Sequence, residues 1–147
     1  MTKRGKVLKS IAILQEGVPV TSVKMGSSLC FHVSFEAHYP IALPTIGLGI
    51  DHLQMKRVLS LSTRLVGSHN TPENVSSGTF ICEVEKLPLN QGAYLITVEI
   101  DEGRNCLERI EGACKLEVVP DDVFSTGSIL TPNQGVLYVP HTWHFQQ

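Results

Sequence analysis

Apolar and polar residues alternate with period two along most of this chain. Leu29, Phe31, Val33 and Phe35 alternate with Cys30, His32, Ser34 and Glu36, which predicts a half-buried strand with one apolar and one polar face. Ile46, Leu48 and Ile50 repeat the pattern against Thr45, Gly47, Gly49 and Asp51, and a turn over His52 to Lys56 leads to a strand from Arg57 to Thr63. Phe80, Cys82 and Val84 alternate with Thr79, Ile81, Glu83 and Glu85. Tyr94, Ile96, Val98 and Ile100 do so against Leu95, Thr97 and Glu99, ending in a turn at Asp101-Glu102-Gly103-Arg104. "ACKLEVVP" and "GVLYVP" read as two further strands, and "KVLKSIAILQ" with "VTSVKMGS" as one or two at the front. No segment keeps a helical apolar stripe beyond about two turns. "NCLERIEGA" reads as a connector and "RLVGSHNTPENVSSG" as a flexible insertion. Seven to nine short strands separated by Gly, Pro, Asn and Asp turns predict an all-β fold, an antiparallel β-sandwich.

Length and charge narrow the picture. A chain of 147 residues fits one domain, 1–147, that buries roughly two-thirds of its unfolded surface without metal or disulfide. A formal charge of −2, with no basic block beyond Lys3, Arg4 and Lys6, argues against a nucleic-acid partner, because phosphate binding needs a clustered basic face. No apolar run reaches the length of a membrane span, and no hydrophobic stretch follows the basic start to make a signal peptide, so the expectation is a cytoplasmic protein. Cys30, Cys82, Cys106 and Cys114 match no zinc spacing and are expected as free thiols.

Catalytic constellations are missing from the sequence. There is no phosphate loop, no nucleophile elbow and no HExxH helix. His141 and His144 with His32 lack a visible fourth metal ligand, and Glu36, Asp51, Glu83 and Glu99 are all expected on solvated faces rather than as a glycosidase pair. No cofactor, metal site or catalytic residue is expected. A binding surface remains. His32, Ser34 and Glu36, taken as lying on a strand beside Gly47, Asp51 and Arg57, would form a groove with a glycine floor, and an aromatic face from Tyr138 or Trp143 could pack on a sugar ring. These eight residues are the expected carbohydrate-binding set; Tyr39 is a further source of an aromatic face.

The last third of the chain carries a family resemblance. Gly92, Tyr94, Ile96, Val98 and Ile100, then Leu116, Val118, Asp122, Phe124, Thr126 and Gly127, then Gly135, Val136, Val139, His141 and Trp143, resemble the C-terminal carbohydrate-binding domain of the nucleotide-binding subunit (Wzt type) of ABC exporters of O-antigen and related polysaccharides. "GSSLCFHVSFEAHYPIALPTIGLGID" is similar to the front of that domain. The resemblance implies an immunoglobulin-like or jelly-roll-like sandwich that forms a homodimer by exchanging its C-terminal strand, here Gly135 to Val139 on the long connection before it. It implies recognition without catalysis: binding the non-reducing terminal part of a lipid-linked O-antigen-type polysaccharide, at the inner face of the inner membrane, beside an ATPase domain and a membrane subunit. The sequence departs from the pattern at "DHLQMKR", where a shorter turn is expected, and contains no ATPase half. The competing expectation is a sandwich that contacts protein partners and no sugar.

Overall fold

The alternating segments form nine strands in a computed structural model that describes residues 5–147; Lys3 and Arg4 of the basic start lie outside the described residues. In chain order they are β1 (Leu8–Gln15), β2 (Val18–Pro19), β3 (Ser22–Lys24), β4 (Leu29–Ala42), β5 (Pro44–His52), β6 (Lys56–Ser62), β7 (Asn74–Val84), β8 (Gly92–Glu102) and β9 (Asn105–Val119), with one helical turn, α1 (Thr63–Val66), after β6. They pair as a four-stranded sheet, β2-β1-β4-β7, and a five-stranded sheet, β3-β9-β8-β5-β6. All pairings are antiparallel except β3 with β9, which is parallel.

The core lies between the sheets. Leu29, Phe31, Val33 and Phe35 of β4 face Ile46, Leu48 and Ile50 of β5 and Tyr94, Ile96, Val98 and Ile100 of β8, all of them buried. Fully burying one such side chain stabilises by about 1.5–3 kcal/mol, so the interior is what holds the sheets together.

Four expectations need correction, the first being the flexible insertion, whose Arg64, Leu65 and Val66 lie in α1 and whose last five residues, Asn74 to Gly78, open β7. β4 and β5 follow each other in sequence but belong to different sheets. The chain crosses the sandwich at Leu43, whose φ of 45° breaks the extended run and whose amide donates to Glu73 O at 2.7 Å. "NCLERIEGA" is not a connector but the first part of β9. Its period is broken where β9 takes four steps, Ile110 to Cys114, against two along β8, with Gly112 at a φ of 57°. Finally, Gly135–Val139 is not a regular strand: Leu137 makes a single antiparallel bridge to Leu89.

That bridge belongs to a latch. Tyr138 N donates to Pro88 O at 3.0 Å and Asn90 N to Val136 O at 2.9 Å. The Asn90 side chain, 1 % exposed, donates to both Thr131 O and Gly135 O, at 2.9 and 2.8 Å. Tyr94, buried beneath it, donates its hydroxyl to Asn90 O at 2.7 Å. Residues 130–138 therefore lie against the protomer's own body, while Val139, Trp143 and Phe145 beyond them are exposed.

Candidate functional site

A face with chemical character forms on the outside of the five-stranded sheet, where register aligns short and polar residues in rows. Ser62, Gly47, Glu99 and Arg109 stand side by side on β6, β5, β8 and β9, and Ser60, Gly49 and Thr97 form the next row. Two missing side chains at the centre of these rows leave a depression of about 150 Å³ between the serines and the Thr97–Glu99 ridge. A Cβ at Gly47 would meet nothing within 4 Å, so the floor there is open, whereas the space above Gly49 is taken by the Arg57 guanidinium.

The polar side chains around the floor are fixed by one another. Arg57 Nε donates to Asp51 Oδ1 at 2.6 Å, and Thr97 Oγ1, on a residue only 4 % exposed, donates to Asp51 Oδ2 at 2.8 Å. Burial alone would raise the Asp51 pKa, but the bonds from Arg57 and Thr97 and the Arg57 charge outweigh it and hold the carboxyl below its ordinary range. On the other side the Arg109 guanidinium lies 3.6 Å from Glu99 Oε1 and 3.4 Å from Glu111 Oε1.

The expected carbohydrate-binding residues do not form one group. Gly47, Asp51 and Arg57 meet at this depression. His32, Ser34 and Glu36 lie on the outer face of the four-stranded sheet, opposite Ile81, Thr79 and Ser77 of β7, and Ser34 Oγ bonds Thr79 Oγ1 at 2.9 Å. The crossing at Leu43 separates the two sets. Tyr138 is half-buried in the latched segment, edge-on to Phe124 with 6.0 Å between ring centroids. Trp143, 89 % exposed, stands edge-on to His141 and does not line the depression. Ser60, Ser62 and Arg109 are the residues that sequence reading did not single out. Thr97 and Glu99 carried a signal, their outward phase, but only the strand order brings them beside Gly47 and Gly49.

Two other features bear on ligand choice. Glu99, Asp101 and Cys106 place their ligand-type atoms within 4.8 Å of one another. Burial, then the Glu99 charge, raises Asp101, and burial with both carboxylates raises the Cys106 thiol. Between the edges of β6 and β7 the sandwich is open as a groove of about 730 Å³, lined by apolar side chains such as Phe35, Leu61, Leu65 and Phe80. Its lining suits an apolar partner better than a polyhydroxyl one.

A family model described as the Wzt C-terminal domain matches residues 2–131. Among solved structures the chain is similar to the crystal structure of the C-terminal domain of Wzt, with a TM-score of 0.78 and 17 % identity over 97 % of this chain and 86 % of that one. At that identity the likeness is one of fold. No curated protein matches the chain in sequence.

Proposed function

The chain belongs to the Wzt C-terminal domain family, which is associated with O-antigen export, and from that premise we propose that it binds the non-reducing terminal part of a lipid-linked O-antigen-type polysaccharide and so selects finished chains for an ABC exporter. The family is a non-catalytic part of its ABC subunit, so the task is recognition. The observation that carries the reading is the open floor at Gly47, walled by Ser60, Ser62, Thr97, Glu99 and the two arginines, with Arg57 covering Gly49 beside it. Drug-sized pockets run to about 300–1,000 Å³. A depression of about 150 Å³ is scaled to a single sugar residue, as recognition of a chain end requires.

In the parent subunit the domain would work beside an ATPase domain and a membrane component at the inner face of the inner membrane. No helix among the described residues is long and apolar enough to cross a membrane. We propose further that the domain acts as a homodimer. What supports this is the exposed run after Tyr138, with Val139, Trp143 and Phe145 at 68, 89 and 92 % exposure, which is the part free to pass to a second copy.

The test is a titration of the domain with the cognate polysaccharide, followed by amide NMR shifts. Saturable shifts centred on Gly47, Gly49, Thr97 and Glu99, lost when the terminal residue of the glycan is trimmed, are the expected outcome. Shifts confined to the β6–β7 groove, or none with any glycan, would leave the protein-interaction alternative standing.

A further inference from the structure

We infer that Arg57 is the residue that grips the ligand at this depression, and that Thr97, acting through Asp51, keeps the gripping end of Arg57 free. The inference rests on the glycan-binding reading above and names the chemistry that the same site takes: two adjacent acceptor oxygens on the terminal sugar residue. Its basis is the way three side chains share their hydrogen bonds. Arginine and aspartate frequently pair through two parallel bonds, which occupy two guanidinium nitrogens and both carboxylate oxygens. Here Arg57 gives only Nε to Asp51 Oδ1, at 2.6 Å, and Asp51 Oδ2 is taken by Thr97 Oγ1 at 2.8 Å. Among the described residues the Arg57 Nη1 and Nη2 groups meet no hydrogen-bond partner.

The free end of the guanidinium stands where a ligand meets it. Arg57 is exposed and lines the depression, with Cζ, Nε and Nη2 over Gly49 and the open floor next to them at Gly47. Arg109 is placed differently: Nη1 is turned to Glu99 at 3.6 Å and Nη2 to Glu111 at 3.4 Å, so that arginine braces a wall. Asp51 is a positioning residue, since both of its oxygens are taken. Its carboxyl titrates below the ordinary range, so it stays ionised and holds Nε at neutral pH. Thr97 is nearly closed off from solvent, and its part is to occupy Oδ2. A planar fork of N–H donors matches paired oxygens, and lysine, a point charge on a flexible stem, does not reproduce it. The pair is a vicinal diol in a neutral sugar and a carboxylate in a uronate, and both accept from the fork.

The experiment titrates the full chain with methyl glucoside, galactoside and mannoside and with the corresponding methyl uronides. Amide shifts of Gly47, Gly49 and Thr97 are the readout, and the neutral and acidic arms separate the two sources of the oxygen pair. For whichever probe saturates, Arg57→Lys should weaken binding by about tenfold, because the fork is lost while the charge stays. Arg109→Lys should cost less, since a lysine there still pairs with Glu99. Thr97→Val frees Asp51 Oδ2 to take a second bond from Arg57, and should weaken the same probe several-fold. Thr97→Ser, which keeps the hydroxyl, should restore most of that loss, a pattern that a merely structural role for the side chain would not give. If Arg57→Lys or Thr97→Val binds the probe at these amides as tightly as the parent chain, or if Arg109→Lys costs as much as Arg57→Lys, the inference falls while the glycan-binding reading stands. If no probe moves the amides of the parent chain, both fall.

Discussion

The guanidinium of Arg57 occupies the space in which a side chain at Gly49 would begin. Gly49 is therefore the condition for Arg57 to cross from β6 and reach Asp51 on β5, and its neighbour Gly47, with empty space above it, has a different role. Substituting alanine at the two positions separates the roles.

Gly49→Ala should push the guanidinium off Asp51. An exposed ion pair is worth about 0.2–1 kcal/mol, and replacing a strand glycine returns about 0.5–1 kcal/mol. Thermal stability should therefore change little. The Asp51 carboxyl, followed by NMR, should titrate higher than in the parent chain, and glycan affinity should fall. An unchanged Asp51 titration would show that Arg57 keeps its contact by another path.

Gly47→Ala should leave the Arg57–Asp51 pair intact and hold or slightly raise stability. It fills the open part of the floor, so glycan binding measured by calorimetry should weaken at least tenfold. Full affinity with an unaltered melting temperature would move the sugar site elsewhere.

Two carboxyls govern the acid limb of stability. Glu108 accepts from Lys6 N, Val7 N and Leu8 N at 2.6, 2.9 and 2.7 Å. Burial would raise its pKa, but these backbone bonds hold it below the ordinary value, as Arg57 and Thr97 do for Asp51. A depressed folded pKa means stability that is present above the unfolded value, about 4, and is lost as pH falls through the folded one. Urea midpoints should fall from pH 5 to pH 2.5. Glu108→Gln should lower the pH 7 stability by about 1–2 kcal/mol and flatten that fall.

Tyr94 and Cys114 share the alkaline limb, burial raising the Cys114 thiol from 9 to about 11. Burial raises the Tyr94 pKa from 10 to about 12. A raised folded pKa gives stability that is complete below the unfolded value and is lost up to the folded one, between pH 10 and about 12 for Tyr94. Tyr94→Phe should remove the Tyr94 part of that loss, leaving the part due to Cys114, and cost about 1 kcal/mol at neutral pH through its bond to Asn90 O. Asn90→Ala should cost more, about 2–3 kcal/mol, because it frees the carbonyls of Thr131 and Gly135. Hydrogen exchange should then show faster exchange at Val136 to Tyr138.

Ending the chain after Tyr138 should leave the melting temperature nearly unchanged, since the residues removed are exposed and contribute no strand. Light scattering should report a monomer where the full chain is a dimer. A truncated chain that remained dimeric would remove the proposed exchange. Trp143, the single tryptophan, gives a second readout: its emission should shift to the blue as dimer forms with concentration.

Much of the sandwich was legible because half-buried strands write their burial into every second residue, as Phe31, Val33, Leu48 and Ile96 do. Which strands lie side by side is not written that way. The turn at Leu43 looks like a hairpin in sequence yet carries the chain to the other layer, which is why His32 and Gly47 were expected together and are apart. The slip at Gly112 hid half of β9, and with it Arg109. Asn90 went unnoticed because a buried amide that braces a distant loop has no local signature.

The extra pair of residues in β9 between Ile110 and Cys114 also decides which charges meet across the β8–β9 seam. Continuing the pairing of Ile96 with Cys114 without interruption would set Glu111 opposite Glu99; the observed step sets Arg109 there instead. An even-numbered insertion keeps every side chain on its own face while exchanging a mutual repulsion for an attraction. Flattening that kink with every residue kept would leave the interior pattern intact and bring Glu111 to face Glu99, so the sign of one wall of the depression is set by where two residues leave the ladder.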